Sequence, residues 1–379
     1  MVEAVRRGAS VRVAAKRFGV SHPTVIYWLR HAEGKRLHRV DWSDRPRGPR
    51  KPANRTPRDL ERLVLTIRRQ LKKHSVLGEF GAEAIHRALL ERDSQNLPST
   101  RTIGRILDRS GALDGRRRIR RAAPPPGWYL PELADAEAEL DSFDVIEDLV
   151  IKGGVNVDVL TGISLHGALP VAWPKAGITA INTVECLISH WREFGLPTYA
   201  QFDNDTRFQG PHQHPDAIGR VIRLCLSLGV TPVFAPPRET GFQAAIENFN
   251  GRWQVVVWSR FRHRSRADVR RRSDAYLAAR RVRAAARIEA APPRRPFPKR
   301  WRLDLEASLR GRIIFLRRTD EGGGVNLLAR HFHVDRLWLH RLVRAEVDLE
   351  GAVIRFYALR RREPEWQPML KEVKYKLPQ

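Results

Sequence analysis

Cysteine is all but absent: the 379 residues contain two, Cys186 and Cys225. Two thiols cannot frame a disulfide-stapled fold or supply a cysteine-rich zinc module. No uninterrupted apolar run approaches the roughly 20 residues that cross a bilayer, and no membrane partner is expected. Residues 1–10, MVEAVRRGAS, lack the apolar stretch of a secretory signal, so a reducing cytoplasm is the expected compartment. Acidic residues are heavily outnumbered. Against 69 Lys and Arg stand 42 Asp and Glu, a formal net charge of +27. So many cations repel one another unless a polyanion neutralises them. What the chain does have is a 42% share of hydrophobic residues, which excludes a disordered polymer. Its length suits about two to three domains at roughly 150 residues each.

The charge is sorted along the chain. Residues 1–127 hold 30 basic and 12 acidic side chains, residues 128–258 hold 8 and 16, and residues 259–379 hold 31 and 14. Two basic arms flanking an acidic middle read as arms that follow a nucleic-acid backbone. An acidic centre repels such a ligand unless cations neutralise it. Carboxylates that bind divalent metal become attractive to phosphate once loaded.

The first arm carries helix-turn-helix signals. Ala14, Phe18 and Val20 have helix-plus-turn spacing, Gly19 suits a positive φ that ends a helix, and Ser21 suits the N-cap of the next. Val25, Trp28 and Leu29 then form an i, i+3, i+4 stripe, leaving His22, Thr24, Tyr27 and Arg30 outward. This resembles the helix-turn-helix of transcription factors and transposases, with residues 22–30 as the recognition helix. A Pro- and Arg-rich linker, Arg45 to Pro52, follows. Helices are predicted near 58–73, 81–92 and 99–108. The last places Ile103, Ile106 and Leu107 inward and Arg101, Arg105 and Arg109 outward, a second, winged helix-turn-helix over 51–127. It ends in a basic linker containing Arg117 and Arg118, then Pro124-Pro125-Pro126.

From Glu137 the period changes to two. Strands are predicted at 138–146, 155–160 and 164–171, then a helix at 179–194, a strand at 198–203, a helix at 216–228, a strand at 231–235 and a helix at about 240–261. The order βββαβαβα is ribonuclease-H-like. It brings together Asp141 on the first strand, Asp203 at the end of the fourth and Glu247 on the last helix. Three converging carboxylates supply the oxygen ligands that hard divalent cations need, enough for two ions sharing the middle carboxylate. The first carboxylate is taken as Asp141, from its place in Glu139-Leu140-Asp141, with Asp144 as the alternative. Asp158 and Asp205 stay open between ligand and surface charge. His212 and His214, flanked by prolines, read as loop.

Phe202-Asp203-Asn204-Asp205 and Ile246-Glu247-Asn248-Phe249-Asn250-Gly251 carry a resemblance. The chain resembles, over nearly its whole length, bacterial insertion-sequence transposases of the retroviral-integrase-like D-D-E type. The resemblance implies a catalytic core at 128–261 that cuts element ends and joins them to target DNA. Asp141, Asp203 and Glu247 would hold two divalent ions, Mg or Mn. It further implies double-stranded DNA as partner, a homo-oligomer assembled on it, and a place near the bacterial nucleoid. Two departures are visible: Asp205 stands where the family usually has Gly, and the stretch from Asp203 to Glu247 is long, with the excess placed at Gln209 to Pro215.

The second arm begins with a basic helix over about 260–295. Strands are then predicted near 310–317, 324–328, 331–334, 337–347 and 352–359, read as a small all-β barrel over 301–379. The expected fold is thus an α/β ribonuclease-H-like core with all-α helix-turn-helix domains before it and a barrel after it. Two other functions compete: a non-catalytic helix-turn-helix DNA-binding regulator, which would tolerate loss of Asp203 and Glu247, and a plain nuclease of the same fold, which would cut without joining.

Overall fold

Serine and glycine set the boundaries of the first helices. A computed structural model describes residues 1–44, 56–92, 97–113, 125–211, 213–239 and 241–377. The chain divides into two compact units, 1–61 and 62–379. In the first unit lie α1 (Val2–Arg6), α2 (Val11–Phe18) and α3 (His22–Ala32). Ser10 and Ser21 each accept the N–H of the residue three ahead, satisfying one donor that a helix start leaves unpaired. Gly19 closes α2 in the left-handed region at φ 63°. Ala14, Ala15 and Val25 are buried between the two helices, whereas Phe18, expected inward, is exposed.

Helix α4 (Arg58–His74) begins at the end of the first unit and runs into the second, where α5 (Ala82–Leu90) and α6 (Thr100–Arg109) follow. They share a core of Val64, Ile67, Ile85, Leu89, Ile103, Ile106 and Leu107, as the apolar spacing predicts. No strand lies among the described residues of 56–113, so the winged form expected here is met by helices alone. A short turn, α7 (Pro131–Ala134), leads into the sheet.

The elements of the middle then run β1 (Leu140–Ile151), β2 (Val155–Ser164), β3 (Pro170–Lys175), α8 (Ala180–Phe194), β4 (Tyr199–Phe202), α9 (Thr206–Gln209), α10 (Arg220–Ser227), β5 (Thr231–Phe234) and α11 (Ala244–Trp253). Apart from the extra turn α9, this is the βββαβαβα order read from the sequence. β1, β2 and β3 pair antiparallel, and β4 and β5 join β1 in parallel. Helices α8 and α10 bury one sheet face around Phe143, Trp191, Phe202 and Leu224. Helix α11 covers the other with Ile246, Phe249 and Trp253. A π turn over Gln254–Trp258 follows, then α12 (Arg266–Glu289), which buries Val269, Ser273, Tyr276 and Leu277 along one stripe and leaves its arginines largely outward.

The expected C-terminal barrel is not formed. Strands β6 (Arg312–Arg318), β9 (Leu342–Asp348), β10 (Val353–Leu359) and β11 (Met369–Lys374) extend the same sheet, whose order is β11-β10-β9-β6-β5-β4-β1-β2-β3. β7 (Gly324–Leu327) and β8 (Arg330–His333) form a separate hairpin. The physical reason lies at β5. It would otherwise present an unpaired edge, and β6 covers it in parallel through Val233–Ile314 and Phe234–Phe315. Phe234 and Phe315 stack with ring centres 5.1 Å apart. Within the long Asp203–Glu247 stretch, Asp216 reaches the C-terminal segment: it accepts from the Arg330 guanidinium of β8 and, at 2.7 Å, from the Tyr375 hydroxyl.

Candidate active site

Strand parity decides which carboxylate faces which helix. Successive side chains alternate between sheet faces, so Asp141 and Asp144, three apart, point opposite ways. Asp141 lies on the α8 side with Phe143. It is 1% exposed and accepts from His190 Nε2 and Trp191 Nε1, both at 3.2 Å, and from both terminal nitrogens of Arg294, one of them at 3.0 Å. Burial pushes this carboxyl up, but the Arg294 and His190 partners outweigh it and hold it well below the usual carboxylate range. Asp141 is therefore the buried half of an ion pair, with its oxygens committed to donors. This corrects its expected place beside Asp203 and Glu247.

Asp144 lies on the α11 side. Asn250 Nδ2 donates to its Oδ2 at 2.7 Å, and Thr161 Oγ1 donates to Asn250 Oδ1 at 2.7 Å. Burial raises the Asp144 carboxyl to about 6. Repulsion from Asp203 and Glu247 adds to this, against hydrogen bonds from Val145 and Asn250 that lower it. Asp144 thus senses both of the other carboxylates at the end of the sheet. Asp203 follows the last residue of β4 and is also raised, first by burial. Glu247 is exposed on α11, because Ile246, Phe249, Asn250 and Trp253 occupy the inward stripe.

Asp205 resolves as a structural residue. It caps α9 by accepting from Arg207 N at 2.7 Å and pairs with the Arg207 guanidinium, which also reaches Glu147 at 2.7 Å. Asp158 sits on β2 opposite Lys175 of β3. His214 is exposed in the loop before α10, and His212 lies outside the described residues.

Among the described residues, no group of three or more His, Cys, Asp and Glu side chains is already gathered closely enough to hold a metal. The donor set nevertheless fits a hard divalent cation in kind. All three groups offer oxygen, and the Asp144 carboxyl, raised first by burial, is raised further by the charges of Asp203 and Glu247. Asn250 and Thr161 are the residues sequence reasoning passed over. Asn250 sits three after Glu247, one helical turn on, and that spacing was the available signal.

Of the DNA-contact candidates, His22, Tyr27 and Arg30 are exposed on α3, while Thr24 is half-buried with its hydroxyl 2.7 Å from Ser21 Oγ. Arg101 and Arg105 are exposed on α6, and Arg117 and Arg118 lie outside the described residues. No helix among the described residues is long and apolar enough to cross a membrane.

No protein-family model matches the chain, and no curated protein matches it. Among solved structures it is similar to the simian T-cell lymphotropic virus intasome in complex with the PP2A regulatory subunit B56 gamma. That match has 12% identity, covers 69% of this chain and 87% of that chain, and has a TM-score of 0.36. It is also similar to the HTLV-2 integrase catalytic core domain with magnesium (11%, 36% and 82%, TM-score 0.28) and to the BIV integrase catalytic core domain (15%, 37% and 81%, TM-score 0.28).

Proposed function

We propose that this chain cleaves and joins DNA strands, as the transposases do whose motifs it resembles. The observation that carries the reading is the position of Asp144, buried on the α11 side of the sheet, where it feels the charge of both Asp203 and Glu247. Asp144, Asp203 and Glu247 would hold divalent magnesium or manganese. Bound there, the metal would polarise a phosphodiester and lower the pKa of an attacking hydroxyl. The protein's own part is orientation. Asn250, itself held by Thr161, fixes Asp144 Oδ2, and Arg207 places a cation beside Asp203. Both flanking arms are strongly basic, which supports a duplex partner held through its phosphates. Assembly as a homo-oligomer on that duplex belongs to the same reading.

Asp144→Asn, Asp203→Asn and Glu247→Gln are each expected to lower magnesium-dependent cleavage of duplex DNA by at least about a thousandfold while binding persists, since charge is lost with little change of shape. Cleavage is read on labelled DNA with and without magnesium, beside a binding titration. Full cleavage by Asp144→Asn would overturn the site. Products that are cut but never joined would instead leave a nuclease.

A further inference from the structure

The sheet face that carries Asp144 also lines a cavity of about 380 Å³. Three of its lining residues stand one structural repeat before the three carboxylates. Ser142 is two residues before Asp144 on β1, Gln201 is two before Asp203 on β4, and Gln243 is four before Glu247 at the start of α11. Two residues of strand or four of helix each advance about 6–7 Å, so the cavity adjoins the carboxylates at roughly that step.

The lining has two characters. One is aromatic: the Phe242 ring lies 5.4 Å from Trp128 and 5.4 Å from Tyr129, centre to centre, and the Arg361 guanidinium lies 5.2 Å from the Phe242 ring centre. The other is neutral and polar. Ser142 Oγ donates to Gln201 Oε1 at 3.2 Å, and Gln201 Nε2 donates to the Tyr129 hydroxyl at 2.8 Å. Gln243 Nε2, by contrast, is buried and has no hydrogen-bond partner. Buried donors are ordinarily satisfied, so this one awaits an acceptor from outside the protein. Arg287 adds a second cation to the lining.

We propose that this cavity receives a single unpaired nucleobase of the DNA strand whose phosphate lies at the carboxylates, a proposal that rests on the DNA-cleaving reading. A base is planar and stacks on aromatic rings. It also carries ring and carbonyl acceptors for an amide donor, while the backbone phosphates of its strand favour nearby guanidinium groups. Gln243 Nε2 donates to the base edge, the buried cluster of Phe242, Trp128 and Tyr129 forms the apolar wall against which the base packs, and Ser142 and Gln201 line the rest without a carboxylate.

The full-length protein is tested without metal, so that no DNA is cut. The probe is a short duplex with a single-stranded overhang whose base is fluorescent 2-aminopurine. Expected are quenching when the overhang base is bound but not when the same base is paired, and about tenfold weaker binding when that position is abasic. Gln243→Ala is expected to shrink this base-over-abasic preference several-fold. Phe242→Leu keeps apolar bulk and is expected to reduce the quenching. Equal affinity for base and abasic overhangs in the intact protein overturns the proposal, as does unchanged quenching and preference in both variants once their melting shows them folded. If either variant fails to fold, the ratio in the intact protein decides. Loss of base preference with cleavage retained removes the pocket alone, and retained preference without cleavage removes the nuclease reading alone.

Discussion

At the residue scale, two aspartates three positions apart have opposite energetics. The Asp144 carboxyl holds its proton up to about pH 6 in the folded protein, against an ordinary value of 3.8. The native state therefore binds more protons than the unfolded chain between those values, and stability falls as pH rises through them. Asp144→Asn removes the charge, so the metal-free variant is expected to melt above the native protein at pH 7. The gain is on the order of 2 kcal/mol, and the gap should close towards pH 4. Calorimetry at the two pH values measures it, and equal melting at pH 7 would contradict the raised Asp144 carboxyl. Asp141 behaves in the opposite sense. Its lowered carboxyl stabilises the fold above the ordinary value, and that contribution is lost on acidification. Asp141→Asn leaves Arg294 buried without its counter-charge and is expected to cost about 3–5 kcal/mol. Denaturant unfolding reads this directly; a loss below about 1 kcal/mol would mean that the pair is dispensable.

At the element scale, the capped pair α2 and α3 presents His22, Tyr27 and Arg30 to solvent. A major groove displays a distinct pattern for each base pair, and a helix is the element that fits it. Removing residues 1–55 is expected to cost sequence-selective binding more than magnesium-dependent nicking of arbitrary DNA, because the carboxylates lie wholly in the second unit. Footprinting on preferred DNA beside nicking of scrambled DNA makes the comparison. Undiminished selectivity in the truncated chain would pass the reading role to α6, where Arg101 and Arg105 are exposed.

At the scale of the whole molecule, one sheet joins segments that composition separates. Ile313, Phe315, Val343 and Phe356 belong to the same buried cluster as Phe143 and Phe202. Ending the chain at residue 300 is therefore expected to abolish cooperative melting and leave an aggregating β5 edge, where an independent barrel would leave the core intact. A truncated chain that melted like the native one would refute the shared sheet. The sequence by itself determined much: the charge-sorted arms, the order βββαβαβα, the caps at Ser21 and Gly19, and the inward stripe of α6 all follow from local chemistry and hydrophobic period. Asp203 and Glu247 could be singled out as candidates because each sits in a recognisable motif, one just after a strand and the other in the first turn of a helix. The choice between Asp141 and Asp144 and the fate of the last strands were not legible. β1 is covered on both faces, by α8 and by α11, so alternation separates Asp141 from Asp144 without saying which face is the site. An apolar strand likewise carries no mark of which edge it will join. Only the tertiary structure supplied Arg294 as the partner of Asp141, 153 positions away, and β5 as the neighbour of β6, because both pairings are contacts between distant segments that no local pattern encodes.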